Sequence, residues 1–256
     1  MPDERICIIG MGEIGTAIYD EIAAKKQNVF GVDANEERIK ELQQKGYAVG
    51  KQIPESDVYI IAVYTTDQAI NVIKNINAKK PLISVESTIN PVRVDDIKKL
   101  CDEKQFELVI FPHRFNPHDA EHRVFNLQRV LGADNEMSKE RALKFYAQLM
   151  KTELIKIVPL KIAALSKVLE NTHRFTEIAI AQTYKESCDK LGIDFEQLRK
   201  AANTKWNINI KEARDGIKGK CLPKDTEILA EFFDNSLLRE LIKNNKEYLS
   251  KYSSKE

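Results

Sequence analysis

The sequence predicts an α/β protein: a doubly wound parallel sheet followed by a smaller all-helical domain. Three observations predict it. Short β-rich runs alternate with amphipathic helical stretches over the first 158 residues. A glycine-rich turn, GMGEIG, joins the first run to the first helical stretch. After Pro159 the strand signals stop and good helix formers take over. Strands joined through helices need crossover connections, so the sheet they form is parallel and covered on both faces.

Taken in order, the strand runs fall at residues 5–9, 28–32, 57–63, 82–85, 107–111 and 153–157. Helical patterns lie between them near 14–26, 35–45, 67–77, 92–104 and 138–150. In the first of these, Ile14, Ile18 and Ile22 recur every four residues and make one apolar stripe. Beyond Pro159, Ala163, Ala164, Leu165, Val168, Leu169, Ile178, Ala179 and Ile180 sit in a helix of about 30 residues that links the two domains. Gly192 is its C-cap and Asp194 the next N-cap. Further helices cover 195–202, 224–234 and 236–250, and the tail SKYSSKE frays. The domains expected are 1–158, dinucleotide-binding, and 159–256, helical.

Composition narrows the function. The chain has 256 residues, 43% of them hydrophobic, which excludes a wholly disordered protein. Forty Lys and Arg against 39 Asp and Glu leave a net charge of +1, which argues against a nucleic-acid binder driven by bulk charge. Cys7, Cys101, Cys188 and Cys221 form no CxxC and no metal-ligand cluster. No apolar run is long enough to span a membrane, and the N-terminus lacks signal-peptide architecture. The expectation is a soluble, reduced, cytoplasmic protein without a metal.

The turn after the first strand carries the clearest chemistry. Gly10 allows a tight turn, Gly12 lets the backbone approach a pyrophosphate, and Gly15 permits close helix–strand packing. Met11, Glu13 and Ile14 complete the loop, whose helix end offers free N–H groups and a positive dipole to phosphates. Asp33 closes the second strand 18 residues after Gly15. Its carboxylate suits ribose hydroxyls and repels a 2′-phosphate, which favours NAD over NADP. A purely structural glycine turn is the rival reading. Val63, Tyr64 and Thr65, and after the next strand Glu86, Ser87 and Thr88, follow strand ends where ligands of open α/β sheets bind. Helix N-capping accounts equally well for the Ser and Thr residues.

Lys167, Asn171 and Arg174 share one face of the long helix, roughly opposite Leu165, Leu169 and Ile180. On spacing alone this is either a solvated polar face or a functional one. In GIKGKCLPKD, Cys221 lies near a helix N-terminus and several lysines, which stabilise a thiolate. A small buried core residue is the equal alternative. Pro223 and Asp225 suit the first turn of the helix that follows, whereas Cys7, Cys101 and Cys188 read as core.

Together these segments resemble the UDP-glucose/GDP-mannose dehydrogenase family. GMGEIG with GVDANEERI resembles its cofactor-binding start, SDVYIIAVYTT its central strand and SVESTINPV its STVPPG segment. ALSKVLENTHRFTEIAIAQ resembles its linker helix, GIDFEQLRKAANT the segment after it, and GIKGKCLPKDTEIL its cysteine loop. The resemblance implies a Rossmann-type domain and a helical dimerisation domain, shortened by loss of a third, nucleotide-sugar-binding domain. It implies NAD and a double oxidation of a sugar alcohol to the acid. Cys221 would be the nucleophile, Lys167 and Asn171 would stabilise oxyanions, Asp225 would handle water or protons, and Thr88 would lie near the reactive carbon. The family's glutamate that helps activate water is replaced by His113, a candidate general base, and Ala164 stands where many members have glutamate. The partners implied are a small polar alcohol and a second copy of the chain, with a separate substrate-binding chain as a further option. Two alternatives stay open: a two-electron dehydrogenase of the hydroxyacid type, and a non-catalytic NAD-binding subunit.

Overall fold

Residues 4–25, 28–115, 119 and 121–252 are described by the structure, a computed structural model. Residues 253–256 of the tail expected to fray, and Asn116, Pro117 and His118 of the segment around His113, lie outside them. The chain divides into two compact units, Met1–Lys167 and Val168–Glu256.

Among the described residues of the first unit, eight strands form one sheet: β1 (Ile6–Ile9), β2 (Val29–Val32), β3 (Val49–Gly50), β4 (Val58–Ile61), β5 (Leu82–Val85), β6 (Glu107–Ile110), β7 (Arg129–Gly132) and β8 (Ile155–Val158). Their order is β3-β2-β1-β4-β5-β6-β7-β8. The helices between them are α1 (Glu13–Ala23), α2 (Glu36–Gln44), α3 (Thr66–Asn75), α4 (Val94–Glu103) and α5 (Glu136–Tyr146). Alternation along each strand splits the core between the two faces. Ile6, Ile8, Val58 and Ile60 face α1 and α5, while Cys7, Ile9, Tyr59 and Ile61 face α3 and α4. The strand order reverses between β1 and β4, so the crevice where such sheets bind ligands opens at the ends of those two strands.

Two strands escaped the sequence reading. β3 is only two residues long, too short to show a period. β7 begins with Arg129, a charged residue that is wholly buried, and so lacks the apolar run of an interior strand. The sheet is also not purely parallel, because β7 runs antiparallel to β6. All its other pairings are parallel.

The long helix α6 runs Leu160–Leu191. Its first turns carry Leu160, Ala163 and Ala164 into the sheet's core, which is why the first unit extends to Lys167 rather than stopping at 158. In the second unit, α6 continues with α7 (Phe195–Ala202), α8 (Cys221–Phe232) and α9 (Ser236–Tyr252). Phe175, Ile178, Ala179, Ile217 and Leu241 form one small core there, and Ala181, Cys188, Phe195, Ala213 and Tyr248 another. Gly192 adopts φ +66°, and Asp194 caps α7 by accepting the Gln197 N–H at 3.1 Å. α8 begins at Cys221, three residues before the expected 224, so the cysteine opens the helix instead of preceding it.

Candidate functional site

The glycine loop follows β1. Gly10 has φ +95°, and a Cβ there would lie 2.5 Å from the Ala62 carbonyl oxygen. A Cβ on Gly15 would lie 1.8 Å from the Gly10 oxygen, so neither position admits a side chain. Gly12 differs, because a Cβ there would stand in open space. It is the N-cap of α1, and no side chain caps the helix. Open space above uncapped helix N–H groups is the cradle a pyrophosphate requires. Met11 points inward and is wholly buried, whereas Glu13 is exposed and Ile14 half-buried. The residues present therefore fit a dinucleotide.

Asp33 follows β2. Its carboxylate accepts the Met11 N–H at 2.8 Å and the Asn35 N–H at 2.9 Å, which aims it at the loop and leaves lone pairs for ribose hydroxyls. Asn35 caps α2. After β4, Val63 is half-buried and Tyr64 exposed. Thr65 is the N-cap of α3 in a capping box with Gln68. The Ser87 hydroxyl accepts the Val63 N–H at 2.9 Å and lies 3.1 Å from the Ile61 carbonyl, so it ties the end of β5 to the end of β4. Thr88 is half-buried in the segment that follows.

Glu86 turns into the interior. Its carboxylate accepts Arg129 Nη2 at 2.5 Å and the Tyr146 hydroxyl at 2.8 Å, and the side chains of Glu86 and Arg129 are both fully buried. Ser84 lies 2.6 Å from the Tyr146 hydroxyl, and Arg129 also donates to the Phe111 carbonyl at 2.5 Å. The guanidinium lies 3.7 Å from the Phe111 ring centroid. Burial and the adjacent Glu86 push the Tyr146 phenol well above its usual range, so it stays a donor. Sequence reasoning missed Arg129, Tyr146 and Ser84. No local signal in the sequence pointed to them.

His113 sits against this cluster. Nδ1 accepts the Phe115 N–H at 3.1 Å, which places the ring proton on Nε2, 3.6 Å from a Glu86 oxygen. Burial, then the Arg129 and Lys167 cations, hold the imidazole well below its usual pKa, so it is neutral. A general base needs an available lone pair, and the one on His113 is engaged by Phe115. In this arrangement Nδ1 is occupied by the Phe115 N–H and Nε2 faces Glu86.

The second unit carries the cysteine loop. Cys221 is exposed, whereas Cys7, Cys101 and Cys188 are buried as expected. It is the first residue of α8, preceded by Lys220 at the N-cap. Asp225, one helical turn later, is fully buried and accepts Asn171 Nδ2 at 2.5 Å. Lys224 lies 3.7 Å from its other oxygen. Asn171 is half-buried and Arg174 exposed on the same helix, one and two turns after the half-buried Lys167. The loop before Cys221 is anchored by a residue that the sequence did not flag. Asn245 of α9 accepts the Ile217 N–H at 2.9 Å and lies 3.3 Å from the Ile217 carbonyl. Tyr248 donates to the Arg214 carbonyl at 3.1 Å. On α6, Leu169 and Ile180 are exposed, along with Tyr184 and Leu191.

Sheet order and glycine loop define the class, a Rossmann-type dinucleotide-binding protein with an appended helical domain. Residues 161–247 match the central domain of the UDP-glucose/GDP-mannose dehydrogenase family, and residues 5–88 match a model described as NADP oxidoreductase, coenzyme F420-dependent. The chain is similar to the UDP-glucose/GDP-mannose dehydrogenase family through this central domain. It is 29% identical to a UDP-N-acetyl-D-mannosamine dehydrogenase of Methanocaldococcus jannaschii over 92% of this chain and 63% of that protein. It therefore spans less than two thirds of that relative's length. Its fold matches the UDP-D-ManNAc dehydrogenase of Pyrococcus horikoshii with a TM-score of 0.82 at 24% identity, over 95% of this chain and 68% of that one. It also matches a 3-hydroxyisobutyrate dehydrogenase of Mycobacterium tuberculosis, with a TM-score of 0.74 at 15% identity over 97% and 94% of the two chains. Among the described residues, no helix is long and apolar enough to cross a membrane.

Proposed function

We propose that this chain is an NAD-dependent dehydrogenase that oxidises the primary alcohol of a nucleotide-linked sugar to the acid through a thioester on Cys221. The observation that carries the reading is Cys221 itself: the exposed cysteine opens α8, one turn before a buried carboxylate held by Asn171. The named activity of the relatives supports the substrate class.

Bound NAD supplies the hydride acceptor. Gly10, Gly12 and Gly15 would let the backbone approach its pyrophosphate, and Asp33 would hold the adenosine ribose. Lys167 and Asn171 offer an ammonium and an amide N–H to the negative oxygen that develops as the alcohol loses its proton and hydride. The Cys221 sulfur then adds to the aldehyde carbon, and transfer of a second hydride to a second NAD, exchanged for the first NADH, converts the tetrahedral adduct into a thioester. Attack of water breaks the C–S bond, releasing the acid and the thiol, with Asp225 handling the water's proton. By its likeness to the family's STVPPG segment, Thr88 would stand near the reacting carbon.

The exposed apolar residues Leu169, Ile180, Tyr184, Leu191, Leu198 and Trp206 support a homodimer formed through the helical unit. Light scattering at micromolar concentration should report twice the chain mass, and a monomer would overturn that part. The activity itself is tested by a turnover screen with NAD across nucleotide sugars, free sugars, sugar phosphates and hydroxyacids. Two NADH per nucleotide sugar consumed is the expected result. One NADH would instead support a two-electron dehydrogenase. No turnover with tight NAD binding would support a non-catalytic subunit.

A further inference from the structure

The first turn of α2 carries an arginine five residues after Asp33. Arg38 Nε donates to the Met11 carbonyl at 2.9 Å, Nη2 lies 3.2 Å from the Thr16 hydroxyl, and Nη1 meets Glu41 at 2.8 Å. Asp33 accepts the N–H of the same Met11. An anion and a cation thus grip the main chain of one loop residue, and the ion pair Arg38 makes is with Glu41 rather than with Asp33. Glu41 is itself held by Lys45 at 2.6 Å.

The two side chains want opposite things from the adenosine ribose. A carboxylate beside it accepts the 2′-hydroxyl and repels a 2′-phosphate, while a guanidinium suits the phosphate. Three of the five Arg38 N–H groups are committed by the bonds above, which leaves donors on both terminal nitrogens. The segment 5–88, which contains both residues, matches an NADP oxidoreductase model. The same segment therefore carries a feature for each cofactor.

We propose that Arg38 is a second determinant of cofactor choice, a latent receptor for a 2′-phosphate that the Asp33 carboxylate overrules and Glu41 restrains. This rests on the reading of the ribose site at Asp33 given above. The negative element does the selecting, in line with specificity set by repulsion as well as attraction. Removing Asp33 leaves Arg38 to act on the phosphate, and removing the Glu41 charge releases the guanidinium further.

The test measures NADH and NADPH binding to the full 256-residue chain by calorimetry and follows the ratio of their affinities. Asp33→Ser should raise the NADPH:NADH ratio about 30-fold, the worth of a charge-assisted bond. Adding Glu41→Gln should raise it about threefold more. Arg38→Ala on the Asp33→Ser background should return the ratio towards wild type, and Arg38→Lys there should keep part of the gain. Because Arg38 also holds the loop, its loss lowers both affinities, which is why the ratio is read. Equal ratios in Asp33→Ser with and without Arg38 would overturn the proposal. A wild-type ratio above one would overturn the NAD reading instead.

Discussion

Changing Arg129 to Met should destabilise the first unit by about 3–5 kcal/mol. The magnitude follows from what the change strands. Arg129 and Glu86 have side-chain exposures of 0%, and their contact is 2.5 Å. Without the guanidinium, the Glu86 carboxylate keeps the Tyr146 hydroxyl at 2.8 Å and the His113 Nε2 at 3.6 Å, neither of which carries a compensating charge. The Phe111 carbonyl loses its Arg129 donor as well. For a unit of this size the loss corresponds to roughly 6–20 °C in Tm. The pair itself is not a large net gain, because Arg129 Nε and Nη1 are buried without hydrogen-bond partners. Replacing both residues, Glu86→Gln with Arg129→Met, should therefore recover most of the stability, leaving about 1–2 kcal/mol of loss. Unfolding in urea, followed by far-UV circular dichroism, reads the effect. Fluorescence of the single tryptophan, Trp206, tracks the second unit and should not shift. A cost below about 1 kcal/mol for Arg129→Met, or a double variant as unstable as the sum of the singles, would refute the reasoning.

Three further predictions follow from groups already described. His113 is held neutral when folded, so below its unfolded pKa near 6.5 the unfolded chain binds the extra proton. Its contribution is present above about pH 6.5 and is lost as pH falls, by up to about 1.4 kcal/mol per pH unit, so His113→Gln should flatten the stability profile between pH 5 and 7. If the variant keeps the wild-type slope, the neutral assignment is wrong. Cys221 should alkylate first at pH 7.5, because burial pushes the Cys7 and Cys101 thiols up to about 12 and Cys188 is buried, and mass spectrometry of the labelled peptide would show it. Cys221→Ser should then abolish acid production while leaving the first hydride transfer, and unchanged acid output would exclude the thioester route. Asp33→Ala, which removes the same carboxylate as Asp33→Ser, should narrow the preference for NAD over NADP about 30-fold, and a wild-type chain that binds NADP more tightly would overturn the assignment.

Much of the architecture was legible because it is written in local pattern. The β1–loop–α1 unit needs glycines wherever a Cβ would strike the backbone, and Gly10 and Gly15 are those positions. Helix α7 was found at its observed ends, because Gly192 and Asp194 punctuate it chemically. Cys7 and Cys101 read as core because they lie in regular apolar elements, and they are buried there. What local pattern does not contain is the partner of a charge. Glu86 read as a ligand wall, yet the structure pairs it with Arg129, 43 positions away in a strand the sequence did not show, and sets His113 Nε2 beside the same carboxylate. Likewise nothing near Cys221 in sequence reveals that Asn245 of α9 clamps its loop at Ile217. Periodicity, caps and glycine sterics act over a few residues, so the sequence alone determines them. Buried polar groups take their meaning from desolvation and from donors brought across the chain, and those exist only once the tertiary structure has formed.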